Sequence, residues 1–167
     1  FGTTRSSQIW TLRQLAQWPV DPGGQYPLFP DTRPLALPAI PLTEPSPIER
    51  LRDEMDLLGF PVSGHVCDLL PGVAWESYCP IARAGEFRGR SVTVCGWIVQ
   101  ERLHRQIGGE EMQFLTLCDR SGMVECELFA GAFRRWGLAT ARYPAVEVTA
   151  TVVPFENGAG HTLRVER

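Results

Sequence analysis

The chain has 167 residues, 44% of them hydrophobic and 21% charged, which suits one folded domain with appendages and excludes a large multi-site enzyme or a disordered chain. Its 16 basic residues, all arginine, against 19 acidic ones leave a net charge of −3, so this is not a globally basic nucleic-acid binder. No apolar run approaches the ~20 residues of a membrane helix, and the start Phe1-Gly2-Thr3-Thr4-Arg5 has neither an initiator Met nor an apolar signal core, as expected of a cytoplasmic segment of a longer protein.

Residues 5–18 pattern as one amphipathic helix, with Ile9, Leu12, Leu15 and Ala16 sharing a face, so 1–18 is expected to end a preceding helical region. Nine of the 14 prolines fall between residues 19 and 47. Proline removes backbone donors and holds the chain extended, so 19–45 is predicted to be a linker. A second helix then carries its own punctuation. Ser46 is the N-cap, Pro47 fits the first helical position, Glu49 completes a capping box, and Gly59 is the stop. Ile48, Leu51, Met55 and Leu58 form its predicted buried stripe. The rest of a connector spanning 46–88 is less regular, with short helical turns expected near Val66–Leu70 and Ile81–Ala84.

From Gly89 the hydrophobic period changes from 3.6 to two. Val92, Val94, Gly96 and Ile98 alternate with Thr93, Cys95, Trp97 and Val99, and a turn at Gly108-Gly109 leads to a strand at Met112–Cys118. Asp119-Arg120-Ser121-Gly122 turns the chain into Met123–Phe129, where Val124, Cys126 and Leu128 face in and Glu125 and Glu127 face out. A short helix at Ala132–Leu138, with Phe133 and Trp136 on its buried side and Arg134 and Arg135 in solvent, precedes strands at Ala145–Val153 and His161–Val165. Three strands, a helix and two strands is the element order of a five-stranded Greek-key OB-fold barrel, so 89–167 is predicted to be a mainly β domain of that class. Such barrels bind oligonucleotides or oligosaccharides on the strand 2–3 face and its adjoining loops.

The five cysteines, Cys67, Cys79, Cys95, Cys118 and Cys126, form no C-x-x-C pair and are odd in number, against a disulfide framework. His65, Cys67 and Cys79 lack the clustered spacing of a zinc site, so the thiols are expected to be small buried hydrophobes. Nucleotidyl transfer needs acidic side chains holding two metal ions about 4 Å apart. The acidic pairs here, Glu110-Glu111, Asp53-Glu54 and Glu125/Glu127, are better explained as solvated faces, and no catalytic residue is assigned.

The segment Arg52–His65, ending Leu58-Gly59-Phe60-Pro61-Val62-Ser63-Gly64-His65, resembles the "L-G-x-x-L-S-G-H-P" stretch of bacterial DNA polymerase III α subunits. Gly96-Trp97-Ile98-Val99, Met112–Leu117 with Asp119, and Glu125-x-x-Leu128-Phe129 followed by Phe133 are similar to strands and helix of that family's OB domain. Phe1–Arg5 resembles the end of its helix-hairpin-helix region. Two positions depart: Val66 stands where a proline usually follows Ser-Gly-His, and Arg90–Arg167 holds nine arginines against nine acidic residues.

The resemblance implies an accessory C-terminal fragment of a replicative or error-prone DNA-directed DNA polymerase, a nucleotidyltransferase near the nucleoid. Its catalytic domains and their divalent metal would precede Phe1, leaving no cofactor in this fragment. Gln25-Tyr26-Pro27-Leu28-Phe29 resembles the Q-x-x-L-F peptide such polymerases insert into the sliding clamp, with Leu28 and Phe29 for an apolar pocket and the Gln25 amide at its rim. Single-stranded DNA is held by cations along phosphates and planar groups under bases. The candidates are Arg102, His104, Arg105 and Gln106 at the end of the first strand and in its loop, Trp97, Gln113 and Phe114 beside them, and Arg120 in the strand 2–3 turn. The implied partners are thus single-stranded DNA, a sliding clamp and other polymerase subunits, with no membrane. The neutral barrel and outward Glu125 and Glu127 favour an alternative, a protein-interaction module that does not bind nucleic acid. A third reading, an anticodon-binding module of an unrelated enzyme, lacks an explanation for the Ser-Gly-His and clamp-like segments.

Overall fold

The computed structural model describes residues 4–16, 42–156 and 158–167, and the chain separates into two units, 1–50 and 51–167. The clamp-like peptide at 25–29 and most of the proline-rich stretch lie outside the described residues. In the first unit, α1 (Arg5–Ala16) begins where Thr4 Oγ1 accepts from the Ser7 N–H at 3.3 Å and Glu44 Oε1 accepts from the Ser6 N–H at 3.0 Å. A carboxylate there satisfies donors that the helix leaves orphaned. The Ser6 N–H, and after it the Thr4 hydroxyl, hold the Glu44 carboxyl below its usual range. The predicted apolar face is corrected: Ile9 and Leu12 are exposed, and the half-buried side carries Ser6, Ser7, Trp10 and Gln14. The helix has little apolar asymmetry, so its sequence pattern does not determine which side is covered.

Helix α2 (Pro47–Leu58) has the expected cap, with Ser46 Oγ accepting from the Glu49 N–H at 3.3 Å and Glu49 Oε2 accepting from the Ser46 N–H at 2.8 Å. Gly59, at φ +79°, ends it in the left-handed region. Leu51 is buried and Met55 half-buried, but Leu58 is exposed because the chain reverses immediately after it.

The Ser63-Gly64-His65 signature is a built turn. Glu54 Oε2 accepts from the Val62 and Ser63 N–H groups at 2.7 and 2.8 Å, and Gly64 lies so near Asp68 and Leu51 that a Cβ would stand 3.1 Å from Asp68 Oδ2. His65 Nδ1 then accepts from the Cys67 N–H at 3.2 Å, capping a 3₁₀ turn at Val66–Leu69. Further 3₁₀ turns follow at Trp75–Ser77, which the sequence did not predict, and at Ile81–Phe87.

Five strands close the barrel: β1 (Ser91–Arg105), β2 (Glu111–Cys118), β3 (Met123–Leu128), β4 (Ala145–Pro154) and β5 (His161–Val165), in the order β1-β2-β3-β5-β4. All neighbours are antiparallel except β3 and β5, the Greek-key arrangement of the OB fold. The core includes Val94, Leu115, Leu117, Cys126, Leu128, Ala150, Val152 and Leu163. Gly96 lets β1 bend across β2: a Cβ there would come within 2.9 Å of Leu117 Cβ and 3.1 Å of the Cys118 carbonyl. Ile81 and Ala84 of the last 3₁₀ turn are buried in the same core.

Helix α3 (Ala130–Arg142) is longer at both ends than its sequence predicts. Its C-terminal extension is tied by Thr140 Oγ1, 3.1 Å from Gln113 Oε1 and 2.8 Å from the Gly137 carbonyl. Phe133 packs on the core with its ring over Gly137, while Trp136, expected to be buried, is 36% exposed. The phenyl ring fills the space against the barrel, so the indole stays at the rim. Among the described residues no helix is long and apolar enough to cross a membrane.

Candidate nucleic-acid interface

Strict alternation along β1 would turn Gln100, Arg102 and His104 into the barrel, following Val92, Val94, Gly96 and Ile98. A bulge reverses this. Ile98 pairs with Leu117 and Gln100 with Thr116, so Val99 is an extra residue and the even-numbered side chains beyond it face outward. The pairing then sets one row across the outer surface, with Arg102 beside Phe114, Phe114 beside Glu127, and Glu127 beside Arg164.

Within that row the Arg102 guanidinium lies over the Phe114 ring, 5.0 Å from its centroid. His104 meets the same ring edge-on, with centroids 6.3 Å apart and planes at 64°. At the far end Arg164 covers the Phe129 ring at 4.9 Å. Gln100, Arg102, Phe114, Thr116 and Glu125 line one depression on this surface.

The remaining candidates are placed elsewhere. Arg102, His104 and Arg105 all belong to β1, so the loop to β2 is shorter than the sequence suggests. Arg105 Nε donates to the Gly109 carbonyl at 3.3 Å and the Gln106 N–H to the Glu110 carbonyl at 2.8 Å, closing that turn. Gln113 is buried: its amide accepts from Thr140 and donates to Glu101 Oε2 at 3.1 Å, so it fastens α3 to the sheet and is absent from the outer surface. Trp97 is on the outer side of β1, but Val66, Cys67 and Cys118 pack around it with Met55, Leu69 and Trp75. Arg120 is ion-paired to Asp68, joining the β2–β3 turn to the connector.

The outer face is not uniformly basic. The Glu125 carboxylate makes no hydrogen bond or ion pair among the described residues, and Glu127 has only Arg164, with Nε 3.8 Å from Oε2. Burial pushes the Glu127 carboxyl above its usual range against the pull of Arg164, and Glu125 adds to the rise. The outward direction of both glutamates follows from the alternation of β3, as expected. Arg164 joins the same face only through the parallel β3–β5 pairing, which is non-local and so not legible in the sequence.

Cys67, Cys95, Cys118 and Cys126 are buried and Cys79 half-buried. Burial pushes the thiols of Cys67 and Cys126 up to about 12, which keeps both from acting as thiolate nucleophiles near neutrality. Among the described residues no three His, Cys, Asp or Glu gather to hold a metal ion.

Residues 92–167 match a family described as OB-fold nucleic acid binding domain. Over 123 residues, 71% of this chain, it is 33% identical to the DNA polymerase III subunit alpha of Pseudomonas fluorescens and 37% identical to that of Pseudomonas aeruginosa. It is 29% identical to that of Aquifex aeolicus over 94 residues, or 56% of the chain. The matched segment spans about a tenth of each relative's length: 10%, 10% and 8%.

Proposed function

We propose, from the premise that this chain carries the C-terminal OB-fold region of a DNA polymerase III α subunit, that it is an accessory module of DNA replication which guides single-stranded template. The observation that carries the reading is the Arg102–Phe114 stack with His104 at its edge, on the outer surface of β1 and β2. Bases stack on such a ring and the guanidinium follows the phosphates, a combination indifferent to sequence. Nucleotidyl transfer and its divalent metal belong in this reading to the rest of a polymerase. Gln25, Leu28 and Phe29 would dock in a sliding clamp, a role supported by their resemblance to the Q-x-x-L-F peptide.

Fluorescence anisotropy of a short labelled single strand, measured across a salt series, tests the DNA arm. Binding is expected to weaken steeply with salt and to fall about tenfold in Arg102→Ala/Phe114→Ala. Wild-type affinity in that variant would remove the assigned face. The outward Glu125 and Glu127 favour a second reading, a barrel that binds another protein subunit, and no retention of single strands at low salt would select it. Calorimetric titration with a bacterial sliding clamp tests the other arm: binding by the chain should vanish in Leu28→Ala/Phe29→Ala.

A further inference from the structure

The two carboxylates on β3 lie where a strand crossing the barrel would pass. Glu127 is the direct cross-strand neighbour of Phe114, and Glu125 that of Thr116. Directly opposed side chains in such a pair have Cβ atoms about 5 Å apart, so a base stacked on Phe114 extends its edge over both carboxylates. Their position is hostile to phosphate, which would meet two negative charges there. It suits a hydrogen-bond donor. Neither carboxylate is saturated, Glu125 having no partner among the described residues and Glu127 one guanidinium at 3.8 Å. The raised Glu127 carboxyl also marks a group whose charge is incompletely compensated.

In a single strand the Watson–Crick edges are open to be read. Cytosine and adenine present an amino group there, and carboxylates accept from the cytosine N4 amine. Thymine presents carbonyl oxygens at the corresponding positions and meets the glutamates with like polarity. The cations belong to the flanking strands of the row: Arg102 on β1, its guanidinium over one face of the Phe114 ring, and Arg164 on β5 beyond Glu127. This distribution seats the backbone along the flanks and the bases over the middle.

We infer that the β2–β3 face takes single-stranded nucleic acid with bases inward, and that Glu125 and Glu127 give it a preference for bases carrying an exocyclic amino group over thymine. The inference rests on the proposed DNA-binding role and specifies which strands the face accepts. It also explains a near-neutral barrel: the glutamates lower affinity for the backbone and return part of it only to bases that donate.

The test is anisotropy on the full chain with oligodeoxycytidylate and oligothymidylate of about 12 nucleotides, within the span of an OB fold, at neutral pH and low salt. The cytosine strand is expected to bind about fivefold more tightly, from one or two exposed amine–carboxylate contacts. Glu125→Gln/Glu127→Gln should tighten the binding of both strands and bring their ratio close to one. Glu125→Gln alone, at an exposed position where folding is not at issue, should shift the ratio in the same direction. Equal binding of the two strands by wild type, or an unchanged ratio in the variants, overturns the inference while leaving the DNA-binding role in place. Failure of wild type to bind either strand defeats that role, and the inference with it.

Discussion

Single residues in this barrel do structural work that their neighbours in sequence do not disclose. Asp119 in the β2–β3 turn is the clearest case. Its Oδ1 accepts from the Ser121 N–H at 2.7 Å and the Gly122 N–H at 3.0 Å, while Oδ2 accepts from the Ile81 N–H at 2.8 Å, anchoring the connector to the barrel. Burial alone would raise its carboxyl, but the Ser121 hydroxyl and these N–H groups outweigh it and hold the group below its ordinary value of 3.8. A carboxyl depressed by folding stabilises the native state above the unfolded value, and that contribution disappears as pH falls through the native one. Asp119→Asn is therefore expected to cost about 1 kcal/mol at neutral pH, discounted for partial exposure, with the gap from wild type closing below about pH 4. Urea unfolding of both proteins at several pH values measures it, and a pH-independent gap would assign the effect to turn shape alone. The Asp-Arg-Ser-Gly turn was legible from its composition, but its partner Ile81, 38 residues away, was not. Gln113 divides the two kinds of signal: it shares the inward parity of Leu115 and Leu117, which alternation makes local, but its partner Thr140 on the docked α3, 27 residues away, is not local.

At the scale of elements, alternation and end signals in the sequence located all five strands and both ends of α2, because a period of two and a capping box are local. What escaped them was non-local. The Val99 bulge swaps the faces of the last third of β1, and no residue near it announces that. The extension of α3 through Thr140 runs against a β-branched residue's weak helix propensity and is decided by tertiary contact. Thr140 is buried, and its hydroxyl lies against Gln113 Oε1 on β2 as well as the Gly137 carbonyl. Thr140→Val keeps the shape and removes the donor, leaving a buried amide oxygen without a partner. The expected loss is about 2 kcal/mol in denaturant unfolding, whereas Arg134→Gln on the exposed side of the same helix should stay within about 0.5 kcal/mol. A Thr140→Val protein as stable as wild type would mean that α3 is held by Phe133 and the apolar contacts alone.

For the whole molecule, the proposed role raises the question of how a strand contact and a clamp contact would act together in one chain. The candidate site was legible only in part: the Arg102–Phe114 cluster came from a patch of cations and planar residues, while its acidic border and the second arginine–aromatic pair emerged from strand pairing. Residues 25–29 precede the connector by a stretch whose covalent reach is considerable. From Phe29 to Pro47 is 18 residues, at most about 65 Å when fully extended. Contacts joined by such a tether reinforce each other through effective concentration, without any new interface. On DNA carrying a sliding clamp beside a single-stranded stretch, the chain is expected to bind about a hundredfold more tightly than to the clamp or the strand alone. Leu28→Ala/Phe29→Ala should reduce that affinity to the level of the strand, and Arg102→Ala/Phe114→Ala to the level of the clamp. Each variant should leave the other contact unchanged when its ligand is supplied separately. Titrations on the three ligands measure the set. If the combined ligand binds no better than its stronger component, the two contacts are not made together, and the tether is too short or too long for the separation between clamp and strand.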